Sequence, residues 1–325
     1  AEEVPKWWRL GTSPNLVQMH SQAIARVAPD AVERTLLESI RKEKRLTAGG
    51  AQAGARVHNL PQQPRDVDDD GEFHYVVLGP KAAWKGGGSN SEARRFIQER
   101  TSPDNPRTYQ NAVLLLVPSH EGLEALRKRV LDYVAWEEVG SFPETKTFDD
   151  LRKARLKGHI EEARRRIPDA VVQAYNTVVT VSAKGEIEAF RITPGDEPLF
   201  ETIKKDRRAR IQESVISPEA LLPEGPYNLW RPGETSRRAA NLVEAFAQFP
   251  HLPKMLNKKG IVDTLALGAA QGHFVLRLTR PDKSVRTIWR CEPSQADLEE
   301  QGLEVVLPQA AELSDLDAGV LAPGA

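Results

Sequence analysis

The feature that most limits what this chain can fold into is the run Ala112-Val113-Leu114-Leu115-Leu116-Val117, separated only by Pro118 from a helical pattern that opens at Ser119. A continuous apolar run of this kind, bounded by a polar residue and a proline, is the pattern of a strand buried on both faces. Residues 119–136 then repeat Leu123, Leu126, Val130 and Val134 at helical spacing. Phe73 to Leu78 is a second continuous apolar run, and Val57 to Leu60 a shorter one. Strands alternating with helices imply an α/β fold with a mainly parallel sheet and crossover helices.

Around that centre the pattern divides into three stretches. In the first, Ser13-Pro14 is a helix start, and Leu16, Met19, Ala23, Ile24 and Val27 follow at helical spacing. Pro29-Asp30 opens a second helix (Val32, Leu36, Leu37, Ile40), Gly86-Gly87-Gly88 is a flexible loop, and Ser91 to Glu99 is a further helix. The middle stretch is heavily charged. Lys146 to Ile167 reads as one long helix with a thin stripe of Leu151, Ile160, Ala163 and Ile167, and Pro198 to Glu213 as another. Between them Val178–Val181 and Ile187–Ile192 pair around Lys184-Gly185, and four prolines from Pro218 to Pro232 mark a linker. The last stretch has a helix with Ala239, Leu242, Val243 and Phe246, and a second from Lys258 to Gln271 stopped by Gly272. Phe274–Leu278 and Val285–Trp289 then form a hairpin around Arg280-Pro281-Asp282-Lys283. Helix, helix and charged-tip hairpin is the order of a winged helix. The expected domains are therefore an α/β domain (1–140), a charged helical and strand-pair segment (141–225), and a winged-helix-like module with an acidic tail (226–325).

Composition narrows the function. With 45 basic against 46 acidic residues the net charge is −1, which excludes a generally basic nucleic-acid coat but not a local basic face. Cys291 is the only cysteine, so the chain forms no internal disulfide and a cysteine-based zinc site is not expected. No apolar run approaches the roughly 20 residues that span a bilayer, and no signal peptide is visible, so no membrane partner and a cytoplasmic location are expected. The chain begins at Ala1 without an initiator methionine and reads as a piece of a longer protein.

The motifs do not assemble an active site. Asp66, Asp68, Asp70 and Gly71 match the start of a calcium loop, but position 12 would be Val77, inside a strand, so the bidentate carboxylate is missing. An acidic turn before a strand is the better reading. Lys85 precedes Gly86-Gly87-Gly88-Ser89 instead of following the glycines, so this is no phosphate-binding P-loop, and no Walker motif occurs in the chain. The seven histidines lack metal-ligand spacing. Ser119-His120-Glu121 are neighbours on a helix start and cannot form a triad. No catalytic residue, metal or cofactor is expected.

The terminal module is where charge is segregated. From Glu234 to Glu292 ten basic residues face five acidic ones. Lys258 and Lys259 open its second helix, Arg280 and Lys283 tip its hairpin, and Arg286 follows; these are places that meet phosphates when a winged helix docks on a duplex. Double-stranded DNA is thus one expected partner. The alternative is a scaffold in which this module and the charged helix bind proteins.

One resemblance adds context. Trp8-Arg9-Leu10-Gly11-Thr12-Ser13-Pro14-Asn15-Leu16, Val76-Val77-Leu78-Gly79-Pro80, Arg107 to Pro118 and Leu131-Asp132-Tyr133-Val134-Ala135-Trp136 resemble the region downstream of the nucleotide-binding core in large bacterial P-loop ATPases. These are ATPases of unknown-function class from anti-phage loci of the phage-growth-limitation, BREX-like type. Leu242 to Leu278 also looks like their terminal module. The family's Walker motifs are absent here. The resemblance implies a parent chain that hydrolyses ATP upstream and acts with defence-system proteins such as a methyltransferase. This piece would then be a non-catalytic accessory part that supplies partner-binding or DNA-binding surfaces. It also implies that Arg94, Arg95 or Arg107 could serve as an arginine finger, against the alternative of salt bridging at the end of a sheet.

Overall fold

A computed structural model describes residues 15–86, 91–280 and 282–311. The helix start at Ser13-Pro14, most of the Gly86-Gly87-Gly88-Ser89 loop, Pro281 in the hairpin and the far end of the acidic tail lie outside the described residues. The chain begins with α1 (Leu16–Arg26) and α2 (Pro29–Lys42). Strands β1 (Arg56–Asn59) and β2 (His74–Val77), helix α3 (Ser91–Gln98) and a small hairpin of β3 (Glu99–Ser102) and β4 (Asn105–Pro106) come next. β5 (Val113–Val117) leads into α4 (His120–Ser141), α5 (Asp150–Arg165) and α6 (Ile167–Ala174). Then follow β6 (Thr177–Val181), β7 (Ile187–Arg191), α7 (Leu199–Lys205) and β8 (Ile211–Gln212). The end of the chain supplies β9 (Ser236–Arg238), α8 (Ala239–Gln248), β10 (Lys254–Met255), α9 (Lys259–Gln271), β11 (Val275–Thr279), β12 (Val285–Ile288), α10 (Gln295–Leu298) and β13 (Leu303–Val306). None of the described helices is long and apolar enough to cross a membrane.

The elements cluster into two units that cut across the sequence. The first takes the described residues of Ala1–Glu43 together with His120–Ala174. It is helical, with α4 packed against α1, α2, α5 and α6. Its starts are set locally: Asn15 Oδ1 accepts from the Val17 N–H at 3.2 Å, Pro29 occupies the first turn of α2, and Asp149 Oδ1 accepts from the Arg152 N–H at 2.7 Å. Leu16, Met19, Ala23, Ala135, Val139 and Leu156 share one buried cluster. Within it the Trp136 ring lies between two imidazoles, His20 at 4.1 Å and His159 at 4.4 Å. The single charged helix expected over 146–167 is shorter than its pattern, and Leu151 is 64% exposed; Leu156 and Ala163 are the residues it buries.

The second unit takes Lys44–Ser119 and Tyr175–Ala325. Its first sheet has the order β1-β2-β5-β6-β7. β1 pairs with β2 and β2 with β5 in parallel, whereas β5–β6 and β6–β7 are antiparallel. The expectation of a mainly parallel sheet is therefore corrected: the sheet is mixed. The chain leaves β5 for the helical unit, returns as β6 against β5, and turns at once into β7 through Gly185, whose φ of 84° suits a residue without Cβ. β2 and β5 are buried along their whole length, as their apolar runs require.

The last third forms a separate antiparallel sheet of order β12-β11-β13-β9. Its inner face, with Leu276, Leu278, Ile288, Leu303 and Val305, packs on Leu242, Phe246, Ile261 and Leu265 of α8 and α9. The acidic tail expected after Glu292 is partly a folded element, because β13 pairs with both β11 and β9 and buries Leu303, Val305 and Val306. The order α8, α9, hairpin follows the expected one, but β13 makes β11 a central strand with partners on both sides.

Candidate functional site

The five cations singled out in the sequence fall into two groups. Lys258 turns toward the α/β sheet of its own unit: its Nζ donates to the Asp70 carbonyl at 2.7 Å and pairs with Glu72 at 3.1 Å. Arg286 pairs with Asp297 at 3.2 Å. The other three, Lys259, Arg280 and Lys283, are exposed. Lys259 opens α9, and Arg280 and Lys283 meet in the hairpin turn, where the Lys283 N–H donates to the Arg280 carbonyl at 2.9 Å. Lys283 holds a left-handed backbone with φ 66°, and Asp282 in the same turn accepts from the Ser284 N–H and hydroxyl.

The register of the sheet adds cations that sequence reasoning did not place in the site. Arg277 on β11 stands opposite Thr287 on β12 and Glu304 on β13, and Glu304 stands opposite Arg238 on β9. Directly opposed residues point to the same face, so Thr287, Arg277, Glu304 and Arg238 form one row across four strands. This row shares the face of Val275 and Val306, which form a small cluster with Trp289 and Ala311 away from the helices. Arg290 stacks on the Trp289 ring at 4.3 Å. The alternation Val275, Arg277, Thr279 against Leu276, Leu278 was a legible signal for Arg277. Arg238 depended on β9 and β13, whose pairing has no local signature.

Elsewhere the polar residues build structure. Arg107 is 3% exposed and donates to the carbonyls of Asp68 (2.7 Å), Val67 (3.0 Å) and Pro64 (3.1 Å). Burial pulls its guanidinium below the usual range, against the opposing pull of Asp69. That guanidinium is committed to the turn around it, which corrects the idea that Arg107 could act as an arginine finger. Arg95 is paired with Glu92 and Glu99 on and beside its own helix. The acidic turn works by capping: Asp66 accepts from the N–H groups of Gln62 and Gln63, and Asp69 from those of Thr108 and Tyr109. Asp70 ends a chain of two imidazoles, with His74 Nε2 at 3.0 Å and His58 Nε2 to His74 Nδ1 at 2.9 Å. Burial lowers both histidines, and in His58 the neighbouring His74 lowers it further. For Asp70 burial alone acts upward, but the Glu72 N–H, His74 and Arg56 together hold it below the ordinary carboxylate range. Among the described residues no group of three His, Cys, Asp or Glu side chains could hold a metal ion.

A second polar knot joins the first sheet to the segment before α9. Asn111 is fully buried and donates to the carbonyls of Phe246 and Leu252. Its side-chain oxygen accepts from Lys254 Nζ at 2.6 Å, and that ammonium also reaches the carbonyls of Asn111 and Val181. Arg210 Nη2 donates to Pro250 and Leu252 carbonyls, both at 2.6 Å. No family model, curated protein or solved structure compared with the chain matches it.

Proposed function

We propose that the chain is a non-catalytic accessory module that contacts the backbone of double-stranded DNA through the outward face and hairpin tip of its C-terminal sheet, working as a winged-helix-like unit. The observation that carries this reading is the common outward row: Arg277 and Arg238 flank Glu304, next to a tip where Arg280 and Lys283 are exposed. Cations fixed on a sheet and its tip can neutralise phosphates, and phosphate contacts position a protein without reading sequence. Lys258 and Arg286 have a lesser part, because each would have to leave an intrachain carboxylate. The larger context is the one the N-terminal motifs suggest: a piece of an anti-phage ATPase that brings the parent chain, and its defence partners, to DNA. The reading is tested by fluorescence anisotropy with a random duplex at low salt. Arg280→Glu/Lys283→Glu should weaken binding by at least about tenfold, roughly 1.4 kcal/mol. Equal binding by wild type and double variant would overturn it. It would then favour the protein scaffold, in which the same face meets an acidic partner.

A further inference from the structure

The turn between β6 and β7, α7, β8 and the segment before β10 line an open cleft of about 440 Å³ within the second unit. Lys205, Arg207, Arg210, Gln212, Tyr227 and His251 line it. That volume lies in the range of small-molecule sites, about 300–1,000 Å³. We propose that this cleft binds the phosphate group of a small phosphorylated molecule.

Three observations converge on it. The first is a concentration of unused hydrogen-bonding groups. Buried polar groups are almost always paired, and each exception calls for a cause. Among the described residues four buried side-chain atoms lack a partner: Arg107 Nε, Ser182 Oγ, and Nε and Nη1 of Arg210. Two of them belong to a residue that lines the cleft, and Ser182 precedes Ala183, which lines it too. The two Arg210 atoms are themselves buried, so they mark a guanidinium beside the cleft whose hydrogen-bonding capacity the chain does not fill.

The second observation is uncompensated charge. Lys254 is 1% exposed, and its ammonium is held by carbonyl oxygens alone. Arg210 shares one of those acceptors, Asn111 Oδ1, at 3.3 Å, and its other partners are backbone carbonyls. Two cations therefore converge on one amide oxygen with no carboxylate bonded to either. Burial and mutual repulsion push the Lys254 ammonium well below its usual range. Asp206 in the lining is engaged by Arg208, and Glu197 nearby by Lys205, while Glu188 attracts Arg210 without bonding to it. Arg207 is exposed at the mouth. An anion seated here would meet charge in a partly desolvated setting, where attraction exceeds that of a fully solvated surface pair.

The third observation is backbone conformation. Arg210 is a non-glycine residue in the left-handed region, with φ 55°. Such strain is held only where the surroundings over-determine it, and it concentrates at ligand sites. Here it sets the arginine between the cleft and the Asn111 knot. Tyr227 and Gln212 offer a ring and an amide to whatever the phosphate is attached to.

The test is isothermal titration calorimetry on the full chain with two probes, inorganic phosphate and AMP, at constant ionic strength. Saturable binding of either is expected, with AMP the tighter if the cleft takes a carried phosphate and equal affinities if it takes the free ion. Arg207→Glu, at the exposed mouth, should weaken binding by at least about tenfold, roughly 1.4 kcal/mol, while leaving the thermal midpoint of the ligand-free protein unchanged. Arg277→Glu, on the separate sheet, should leave it intact. The proposal is overturned if neither probe binds saturably at millimolar concentration. It is equally overturned if Arg207→Glu binds as well as the wild type.

Discussion

Arg107 should be the residue whose loss most damages the second unit without opening a large apolar cavity. Truncation to alanine leaves two buried carbonyls, of Pro64 and Val67, and the part-buried carbonyl of Asp68 without their donor. An unsatisfied buried acceptor costs about 1–3 kcal/mol, so the two buried ones cost about 2–6, and the Asp68 carbonyl adds less because water reaches it. Two things reduce the total. Water can enter the space left by the guanidinium, and Asp69 keeps the Thr108 and Tyr109 N–H groups, so its carboxylate is not stranded. The expected loss is about 3–5 kcal/mol, the range found when one partner of a buried polar pair is removed. Arg107→Lys keeps the charge but not the planar fork, and should fall between, losing about 1–2 kcal/mol. The assay is urea denaturation read by hydrogen exchange of peptides covering residues 60–72 and 105–112, which isolates this unit from the helical one. Loss of protection at Thr108 and Tyr109 should accompany the drop in stability. An alanine variant within about 1 kcal/mol of the wild type, with those amides still protected, would refute the reasoning, because surface-type substitutions fall in that range.

Three further outcomes follow from buried groups. His74 is lowered from its ordinary value of 6.5 by burial, so the unfolded chain binds its proton more readily. Stability of the second unit is therefore full above about 6.5 and falls as pH drops through the folded value, and His74→Gln should flatten that limb in a pH series of urea midpoints. Lys254, pushed well below 10.5, acts in the basic range with the same sign: stability should climb as pH rises toward 10.5, and Lys254→Met should remove the climb in the same assay. Gly268 lies under Phe274, whose Cζ would sit 2.1 Å from an added Cβ; Gly268→Ala should cost about 1–3 kcal/mol by overpacking, visible as a lowered thermal midpoint.

What the sequence could and could not reveal divides along the range of the forces involved. β2, β5, α1, α2, α4 and the β11–β12 hairpin were legible within a residue or a few, since burial on both faces or helical spacing is written into consecutive residues. The mixed character of the first sheet was not, because whether β6 lies parallel or antiparallel to β5 depends on where the chain returns from a helical excursion of more than 50 residues. β13 was hidden by its charge. Glu299, Glu300 and Glu304 read as a solvated tail, although the alternate residues Leu303 and Val305 bury against α8 and α9. Of the candidate site, the hairpin-tip cations were legible as a charged turn, whereas the bonds of Lys258 and Arg286 to carboxylates were not. The Asn111, Arg210 and Lys254 knot was invisible altogether, since it joins residues separated by up to 143 positions.

Neutralisation of DNA phosphates by the outward face and tip of the C-terminal sheet is the substance of the proposed function. Its most direct test is the slope of log K against log salt for a random duplex, measured for the wild type and for Arg277→Ala/Lys283→Ala. Each lost phosphate contact should reduce the slope by about 0.9, so the double variant should be shallower by roughly 2, equally on two unrelated sequences. An unchanged slope, or no binding by the wild type at low salt, would contradict the claim and leave this face to a protein partner.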